Sequence, residues 1–148
     1  MTTQKLESDS PDSTFEIGRA LGVELRPGDL VLLYGGLGAG KTLLTKGIMD
    51  GLGYDVDEVT SPSFALVNLY KTPSFDVFHI DLWRLDSSSD AAAHVGLDEI
   101  LATDNAVTII EWADHLLAVP EGHRIVSIEI AGDGDSPREI GIRHGGAK

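Results

Sequence analysis

Residues 35–42 combine glycines, a lysine and a threonine at a spacing that suits the binding of a phosphate chain. They read Gly35-Gly36-Leu37-Gly38-Ala39-Gly40-Lys41-Thr42 and fit the pattern G-x-x-x-x-G-K-[ST] at every fixed position. In this motif, glycines let backbone N–H groups turn inward around an anion, the lysine reaches the β and γ phosphates, and the threonine hydroxyl binds Mg²⁺. The motif predicts that all eight residues contact a bound nucleotide.

The flanking residues favour this interpretation over a chance match in a chain with 17 glycines. The apolar run 30–34 predicts a buried strand before the loop. After the loop, Leu44, Ile48 and Leu52 recur at helical spacing. The strand, loop and helix are the context that the motif requires, and such a helix directs the positive end of its dipole at the phosphates.

Two acidic residues end apolar runs further along the chain. Asp81 follows residues 77–80, and Glu111 follows residues 107–110. Ligands of open α/β sheets lie outside the carboxyl ends of the strands, so both carboxylates reach the phosphate site if these strands run parallel to the one before the loop. We assign Mg²⁺ binding to Glu111 with Thr42, and orientation or deprotonation of the attacking water to Asp81. These two acidic roles are open to exchange, and capping of a turn is the alternative for Asp81.

Neighbouring side chains have two interpretations each. Strand alternation places His79, Asp81 and Trp83 on one face, and the first two suggest a metal pair; without a third ligand, a hydrogen-bonded strand histidine is favoured. Trp112 belongs either to the core or to the nucleotide pocket. Arg84 is either an arginine finger or, as the favoured alternative, part of a surface salt bridge.

The length of 148 residues predicts one domain. Residues 1–12 lack periodicity and predict a mobile tail, followed by a single nucleotide-binding domain over 13–148. The other apolar and turn patterns predict an α/β protein. Its expected strands are 64–70, 75–82, 106–110, 124–130 and 138–143, and its expected helices begin near Thr14 and cover 91–95, 97–101 and 114–117.

Charge and composition exclude several classes of protein. With 24 acidic and 11 basic residues, the formal charge of −13 excludes nucleic-acid binding through a broad basic face. The chain has no cysteine, which excludes disulfide scaffolds, zinc ribbons and thiol nucleophiles. No apolar run approaches the roughly 18 residues of a membrane span. These features predict a cytoplasmic protein with no membrane contact.

Four blocks, taken in order, resemble the bacterial TsaE family, formerly YjeE, of ATPases in tRNA threonylcarbamoyladenosine biosynthesis. The blocks are LGAGKT at 37–42, SPSFALV at 61–67, HIDLWRL at 79–85 and EW at 111–112, with a weaker GLDE at 96–99. The first block alone is generic, whereas the order and spacing of all four are much more specific. The resemblance covers residues 14–112.

The resemblance implies a P-loop NTPase-like three-layer α/β fold whose mixed sheet has a parallel core and antiparallel additions. It implies binding of ATP and Mg²⁺, and weak hydrolysis that drives turnover of the TsaD–TsaB threonylcarbamoyltransferase heterodimer. The partners then handle most of the tRNA. Ser61 and Ser63 are expected to form a loop that senses the γ-phosphate, and Trp112 to lie near the nucleotide. Four residues differ from those usual in the family: Gly36 replaces Asp, Leu43 and Ser63 each replace Thr, and Trp83 replaces Tyr.

Other functions remain open at this point. A small-molecule kinase also uses this loop, but such kinases need an arginine-bearing lid and the chain has no cluster of arginines. A GTPase is disfavoured because the chain lacks an Asn-Lys-x-Asp motif. A nucleotide-sensing module that binds ATP without turnover is compatible with Gly36 and Leu43.

Overall fold

The computed structural model describes residues 2–36, 38–60, 62, 66–85 and 90–146. Within these residues a single mixed sheet runs through the protein. Its strands are β1 (Thr2–Ser8), β2 (Leu30–Gly35), β3 (Val67–Lys71), β4 (Asp76–Asp81), β5 (Ala106–Glu111), β6 (Arg124–Ala131) and β7 (Arg138–Gly146). Their order across the sheet is β1-β7-β6-β2-β5-β4-β3.

Four parallel strands form the middle of the sheet. Strand β2 pairs in parallel with β5 on one side and β6 on the other, and β5 pairs in parallel with β4. All six residues of β5 are buried, as are the first four of β2. Burial on both faces explains why these strands are continuous apolar runs rather than alternating ones.

Antiparallel strands extend the sheet at both sides. Strand β3 forms a hairpin with β4, and β7 forms a hairpin with β6. Strand β1 then pairs antiparallel with β7 and becomes one edge of the sheet. The expected mixed sheet with a parallel core and antiparallel additions is therefore confirmed.

Helices lie on both faces of the sheet. They are α1 (Pro11–Glu24), α2 (Lys41–Gly51), α3 (Ala91–Val95) and α4 (Leu97–Leu101). One apolar cluster joins α1 and α2 to Val31 and Leu33, and the other joins α3 and α4 to Leu30 and Leu32. Because adjacent strand residues point to opposite faces, the two clusters occupy opposite sides of β2.

The expected mobile tail over residues 1–12 is wrong, because most of it is ordered in the structure. Strand β1 pairs with β7 along seven residues, and Leu6 packs against the core. Helix α1 begins at Pro11 with Ser10 as its N-cap, earlier than the expected start near Thr14. The hydrogen bonds that order β1 come from a strand 130 or more residues away in sequence, so local periodicity carries no sign of them.

Smaller differences concern the ends of elements. The strand expected over 64–70 is described from Val67 onward, and Phe64 and Ala65 lie outside the described residues. The helix expected over 114–117 is a single 3₁₀ turn, Ala113–His115.

Glycines bring α1 and α2 into backbone contact. A Cβ atom at Gly22 would lie 2.2 Å from the carbonyl oxygen of Ile48, and one at Gly47 would lie 2.2 Å from that of Phe15. Gly18 and Gly51 are equally constrained, at 2.4 and 2.3 Å. Only glycine permits this approach, so α1 fixes the position of the helix that follows the phosphate-binding motif.

We expect Gly47→Ala to destabilise the protein, because its added methyl group overlaps the backbone of α1. Overpacking of this kind costs about 1–3 kcal/mol. Urea denaturation followed by circular dichroism measures the change. Gly141→Ala is the control, since a Cβ atom there meets nothing within 4 Å. An equal free energy of unfolding for the two variants would contradict the role given to this contact.

Candidate functional site

The carboxyl ends of three neighbouring parallel strands meet at one edge of the sheet. Asp81 at the end of β4 is in register with Glu111 at the end of β5, and Glu111 is in register with Leu33 of β2. The glycine-rich loop follows β2 directly. The strands therefore run parallel as the sequence argument required, and both carboxylates belong to the edge that carries the loop.

The loop places the amine of Lys41 against its own backbone. Lys41 Nζ donates hydrogen bonds to the carbonyl oxygens of Gly35, at 2.6 Å, and Gly36, at 2.8 Å. Gly38 and Gly40 adopt φ angles of 79° and 110°, in the left-handed region that favours glycine. These two glycines let the chain turn sharply before α2 begins at Lys41.

The electrostatic surroundings of Lys41 are acidic. Burial lowers the pKa of its ammonium group, and the carboxylates of Glu111, Asp81 and Asp114 act in the opposite direction. An ammonium group close to these carboxylates can neutralise both them and an incoming phosphate chain. The site thus offers the positive charge that transfer or cleavage of a phosphoryl group requires.

Both acidic residues are buried and hydrogen-bonded. Glu111 is 2% exposed, and its Oε2 lies 2.5 Å from Nε2 of His79, which itself is fully buried. Asp81 is 4% exposed and accepts a hydrogen bond from the backbone N–H of Trp83 at 2.9 Å. The geometry of His79 agrees with the interpretation of a hydrogen-bonded strand histidine. Asp81 makes the turn-capping contact that was its alternative.

Aromatic rings border the amine of Lys41. The ring centroid of Trp112 lies 4.1 Å from Lys41 Nζ and 4.7 Å from the ring centroid of Trp83. Trp112 has a φ angle of 59°, a left-handed conformation that turns the chain directly after Glu111. The structure therefore brings Trp112 to the loop. The expectation that Trp83 shares a strand face with Asp81 is wrong, since β4 ends at Asp81 and Trp83 lies in the exposed turn that follows.

Some of the remaining predicted site residues lie within the described part of the chain, and others lie outside it. Thr42 lies half-buried in the first turn of α2, and Arg84 is exposed. Leu37, Ser61 and Ser63 lie outside the described residues. Mg²⁺ prefers oxygen ligands, including carboxylates and phosphates, so the hydroxyl of Thr42 and the carboxylate of Glu111 fit this ion.

Sequence reasoning missed Arg138, which holds the loop from the start of β7. Its Nε donates to the carbonyl oxygen of Ala39 at 3.0 Å, and Nη2 donates to that of Gly38 at 3.3 Å. Further bonds tie the same guanidinium to the carbonyl oxygens of Gly134 and Ser136. No sequence motif indicates this contact, because Arg138 is about a hundred residues from the loop in the sequence.

A cleft of about 280 Å³ opens beside the loop. Three segments line it: the chain between β1 and α1, the loop with the first turn of α2, and the β6–β7 hairpin. Their residues are Ser8, Asp9, Ser10, Pro11 and Thr14, then Ala39, Gly40 and Leu43, then Gly134, Asp135, Ser136 and Arg138.

Comparison with known proteins identifies similar sequences. The family model described as "Threonylcarbamoyl adenosine biosynthesis protein TsaE" matches residues 8–140. The chain is 34% identical over 140 residues to the tRNA threonylcarbamoyladenosine biosynthesis protein TsaE of Bacillus subtilis, covering 95% of this chain and 85% of that protein. It is 41% identical over 103 residues to the Streptomyces coelicolor protein of the same name, covering 67% and 66%.

A solved structure shares the fold. The crystal structure of Bacillus subtilis YdiB superposes with a TM-score of 0.71 and 30% sequence identity, over 95% of this chain and 84% of that one. Separately, none of the described helices is long and apolar enough to cross a membrane.

We expect Arg138→Ala to weaken ATP binding, since the loop loses the hydrogen bonds that hold Gly38 and Ala39. Hydrogen bonds from a charged group contribute about 1.5–3 kcal/mol, so Kd for ATP should rise about tenfold or more. Isothermal titration calorimetry measures it. Arg143→Ala removes an exposed arginine of the same strand and should leave Kd unchanged. Equal affinities for the two variants would show that Arg138 does not organise the loop.

Proposed function

The chain belongs to the family of threonylcarbamoyladenosine biosynthesis proteins TsaE, and from this membership we propose that it acts in tRNA threonylcarbamoyladenosine modification as an ATPase. One observation carries the proposal of ATP hydrolysis. The loop, its Lys41 and two buried carboxylates, Asp81 and Glu111, come together at one edge of the sheet. This combination supplies phosphate binding, a metal ligand and a group for water.

The loop holds the phosphate chain in the proposed mechanism. Backbone amides from Gly38 to Thr42 surround the phosphates, aided by the positive end of the α2 dipole. Lys41 exchanges the carbonyl oxygens of Gly35 and Gly36 for oxygens of the β and γ phosphates. Because these carbonyls already satisfy the ammonium group, the exchange moves an existing charge rather than burying a new one.

The acidic residues and the metal complete the reaction. When bound, Mg²⁺ supplies charge neutralisation at the phosphates, and Thr42 and Glu111 hold it directly or through water. Asp81 orients or deprotonates the attacking water. The two acidic residues remain candidates for each other's role. Trp112, already beside Lys41, contacts the nucleotide, and Ser63 stays a proposed nucleotide contact.

The cleft beside the loop is the proposed place for the nucleoside part of ATP. It adjoins Ala39 and Gly40, so a nucleotide whose phosphates lie in the loop can extend into it. One wall is the chain that follows β1, and the hairpin carrying Arg138 provides another.

The proposed partner is the TsaD–TsaB threonylcarbamoyltransferase heterodimer in the cytoplasm. Hydrolysis by this chain would reset that complex between rounds of tRNA modification, while the transferred carbamoyl group comes from elsewhere. The net charge of −13 suits a subunit that leaves most contacts with tRNA to its partners.

A nucleotide-sensing module without turnover is the second candidate. The observation that favours it is the hydrogen bond from the backbone N–H of Trp83 to Asp81 Oδ1, which gives the proposed water-orienting residue a structural role. A sensing module binds ATP tightly and does not hydrolyse it, even when the partners are present.

We expect Lys41→Ala to lose ATP affinity because it removes the charge that contacts the phosphates. Contacts with a charged group contribute about 1.5–3 kcal/mol, so Kd should rise about tenfold or more. Calorimetry with Lys46→Ala, a lysine of the same helix, is the control. Unchanged affinity in Lys41→Ala would disprove the phosphate-binding role of the loop.

We expect Asp81→Ala to bind ATP normally and to hydrolyse it more slowly by about 10²–10⁴-fold. Phosphate release is measured with Mg²⁺ for the protein alone, and with purified TsaD–TsaB and tRNA. Wild-type hydrolysis should rise with the partners and support repeated rounds of tRNA modification. A wild-type rate in Asp81→Ala removes this residue from the mechanism, and tight binding without any hydrolysis favours the sensing module.

A further inference from the structure

A line of hydrogen bonds crosses three neighbouring strands and ends at Glu111. The hydroxyl of Tyr70 on β3 lies 3.3 Å from Nδ1 of His79 on β4, and Nε2 of His79 lies 2.5 Å from Glu111 Oε2 on β5. At the other end, the Tyr70 hydroxyl lies 2.9 Å from the carbonyl oxygen of Thr60 and accepts a hydrogen bond from the backbone N–H of Thr60 at 3.2 Å.

The three side chains lie inside the protein on one face of the sheet. His79 is 0% exposed, Glu111 2% and Tyr70 5%. Tyr70 belongs to the apolar cluster under α2, and alternation places His79 and Glu111 on that same face, with Val77 and Ile109 of their own strands. Helix α2 begins at the phosphate-binding loop, so this face is the one that leads to the loop.

The protons of this arrangement can be assigned from the chemistry of the groups. An ionised carboxylate only accepts hydrogen bonds, so Nε2 of His79 carries the proton that it shares with Glu111. With Nε2–H directed at Glu111, Nδ1 of a neutral imidazole accepts from the Tyr70 hydroxyl, which has one proton to share between Nδ1 and the carbonyl oxygen of Thr60. Each ring nitrogen therefore has a partner of its own, and the ring cannot rotate without breaking both contacts.

We propose that His79 is a positioning residue for Glu111 and that Tyr70 holds the imidazole of His79 in turn. The bond to His79 engages Oε2, so it restrains the carboxylate group and leaves Oε1 as the oxygen that would contact a bound Mg²⁺. This proposal rests on the proposed function, in which Glu111 holds the Mg²⁺ that accompanies ATP. Residues that orient metal ligands in this way commonly affect metal affinity or activity by about 10–100-fold.

Four variants separate positioning from simple packing. His79→Phe keeps an aromatic ring and removes both hydrogen bonds, whereas His79→Gln retains an N–H donor for Glu111. Tyr70→Phe removes only the hydroxyl. Tyr54→Phe is its matched control, because the Tyr54 ring lies 5.0 Å from the Tyr70 ring and its hydroxyl takes no part in the line.

The first readout is ATP binding by the full-length protein at increasing Mg²⁺ concentration, with kcat and KM alongside. We expect ATP affinity without Mg²⁺ to be unchanged in all variants. The Mg²⁺ concentration for half-maximal effect should rise about 10–100-fold in His79→Phe, rise less in Tyr70→Phe, and return toward the wild-type value in His79→Gln. Tyr54→Phe should match the wild type.

Two results would overturn the proposal. If His79→Phe weakens ATP binding equally with and without Mg²⁺, lowers the melting temperature and is not rescued in His79→Gln, then His79 serves only packing. If His79→Phe does not fold, Tyr70→Phe is the test variant. A Mg²⁺ dependence of ATP binding identical to that of Tyr54→Phe would then contradict the proposed positioning of Glu111 through His79 and Tyr70.

A second readout needs no nucleotide and separates this proposal from the proposed function. Histidine ring ¹H–¹⁵N spectra should show a protonated Nε2 of His79 whose signal moves in Glu111→Gln, and an Nδ1 signal that moves in Tyr70→Phe. An Nε2 signal that ignores Glu111→Gln overturns the positioning of Glu111. The spectra can agree while the wild type shows no Mg²⁺-dependent ATP binding. In that case the hydrogen bond between His79 and Glu111 is confirmed, but the proposed ATPase function and the role of His79 in metal binding are both disproved.

Discussion

The parallel register of β2, β5 and β4 is the constraint on which the site depends. It fixes Asp81 opposite Glu111, and Glu111 beside the strand that leads into the glycine-rich loop. Buried carboxylates are costly unless hydrogen bonds and opposite charges compensate for the lost water. Here the imidazole of His79, the backbone N–H of Trp83 and the ammonium group of Lys41 provide that compensation.

The rest of the fold keeps the loop in place. Glycines let α1 and α2 touch backbone to backbone, so the helix after the loop is held along its length. Arg138 fixes the loop from the other side through the carbonyl oxygens of Gly38 and Ala39. A loop supported from both sides can present its amides to phosphates with little rearrangement, which favours binding because less conformational entropy is lost.

Local patterns in the sequence predict much of this arrangement. The continuous apolar runs predicted the buried strands β2 and β5, and the motif placed the loop between strand and helix. Glu111 is a candidate because an acidic residue follows a largely apolar run, and the strand register places it at the sheet edge that carries the loop. The four ordered blocks pointed to the TsaE family, which the matching family model confirms over residues 8–140.

Features made by distant contacts could not be predicted in this way. Strand β1 is polar and exposed along most of its length, and only its pairing with β7 orders it. Arg138 reaches the loop because the β6–β7 hairpin brings it there. Trp83 leaves its expected strand face because β4 ends at Asp81, where the side chain bonds to the next turn. Each case depends on tertiary pairing or a turn, which hydrophobic periodicity does not encode.

In the proposed function, this sheet edge gathers the groups that hold Mg²⁺ and ATP. A crystal structure with a non-hydrolysable ATP analogue and Mn²⁺ in place of Mg²⁺ tests it most directly, because anomalous scattering locates Mn²⁺. We expect an anomalous peak beside Thr42 and Glu111, and we expect Lys41 Nζ to have moved from the carbonyl oxygens of Gly35 and Gly36 to the phosphates. An analogue bound away from the loop, or a Mn²⁺ peak remote from both acidic residues, would contradict it.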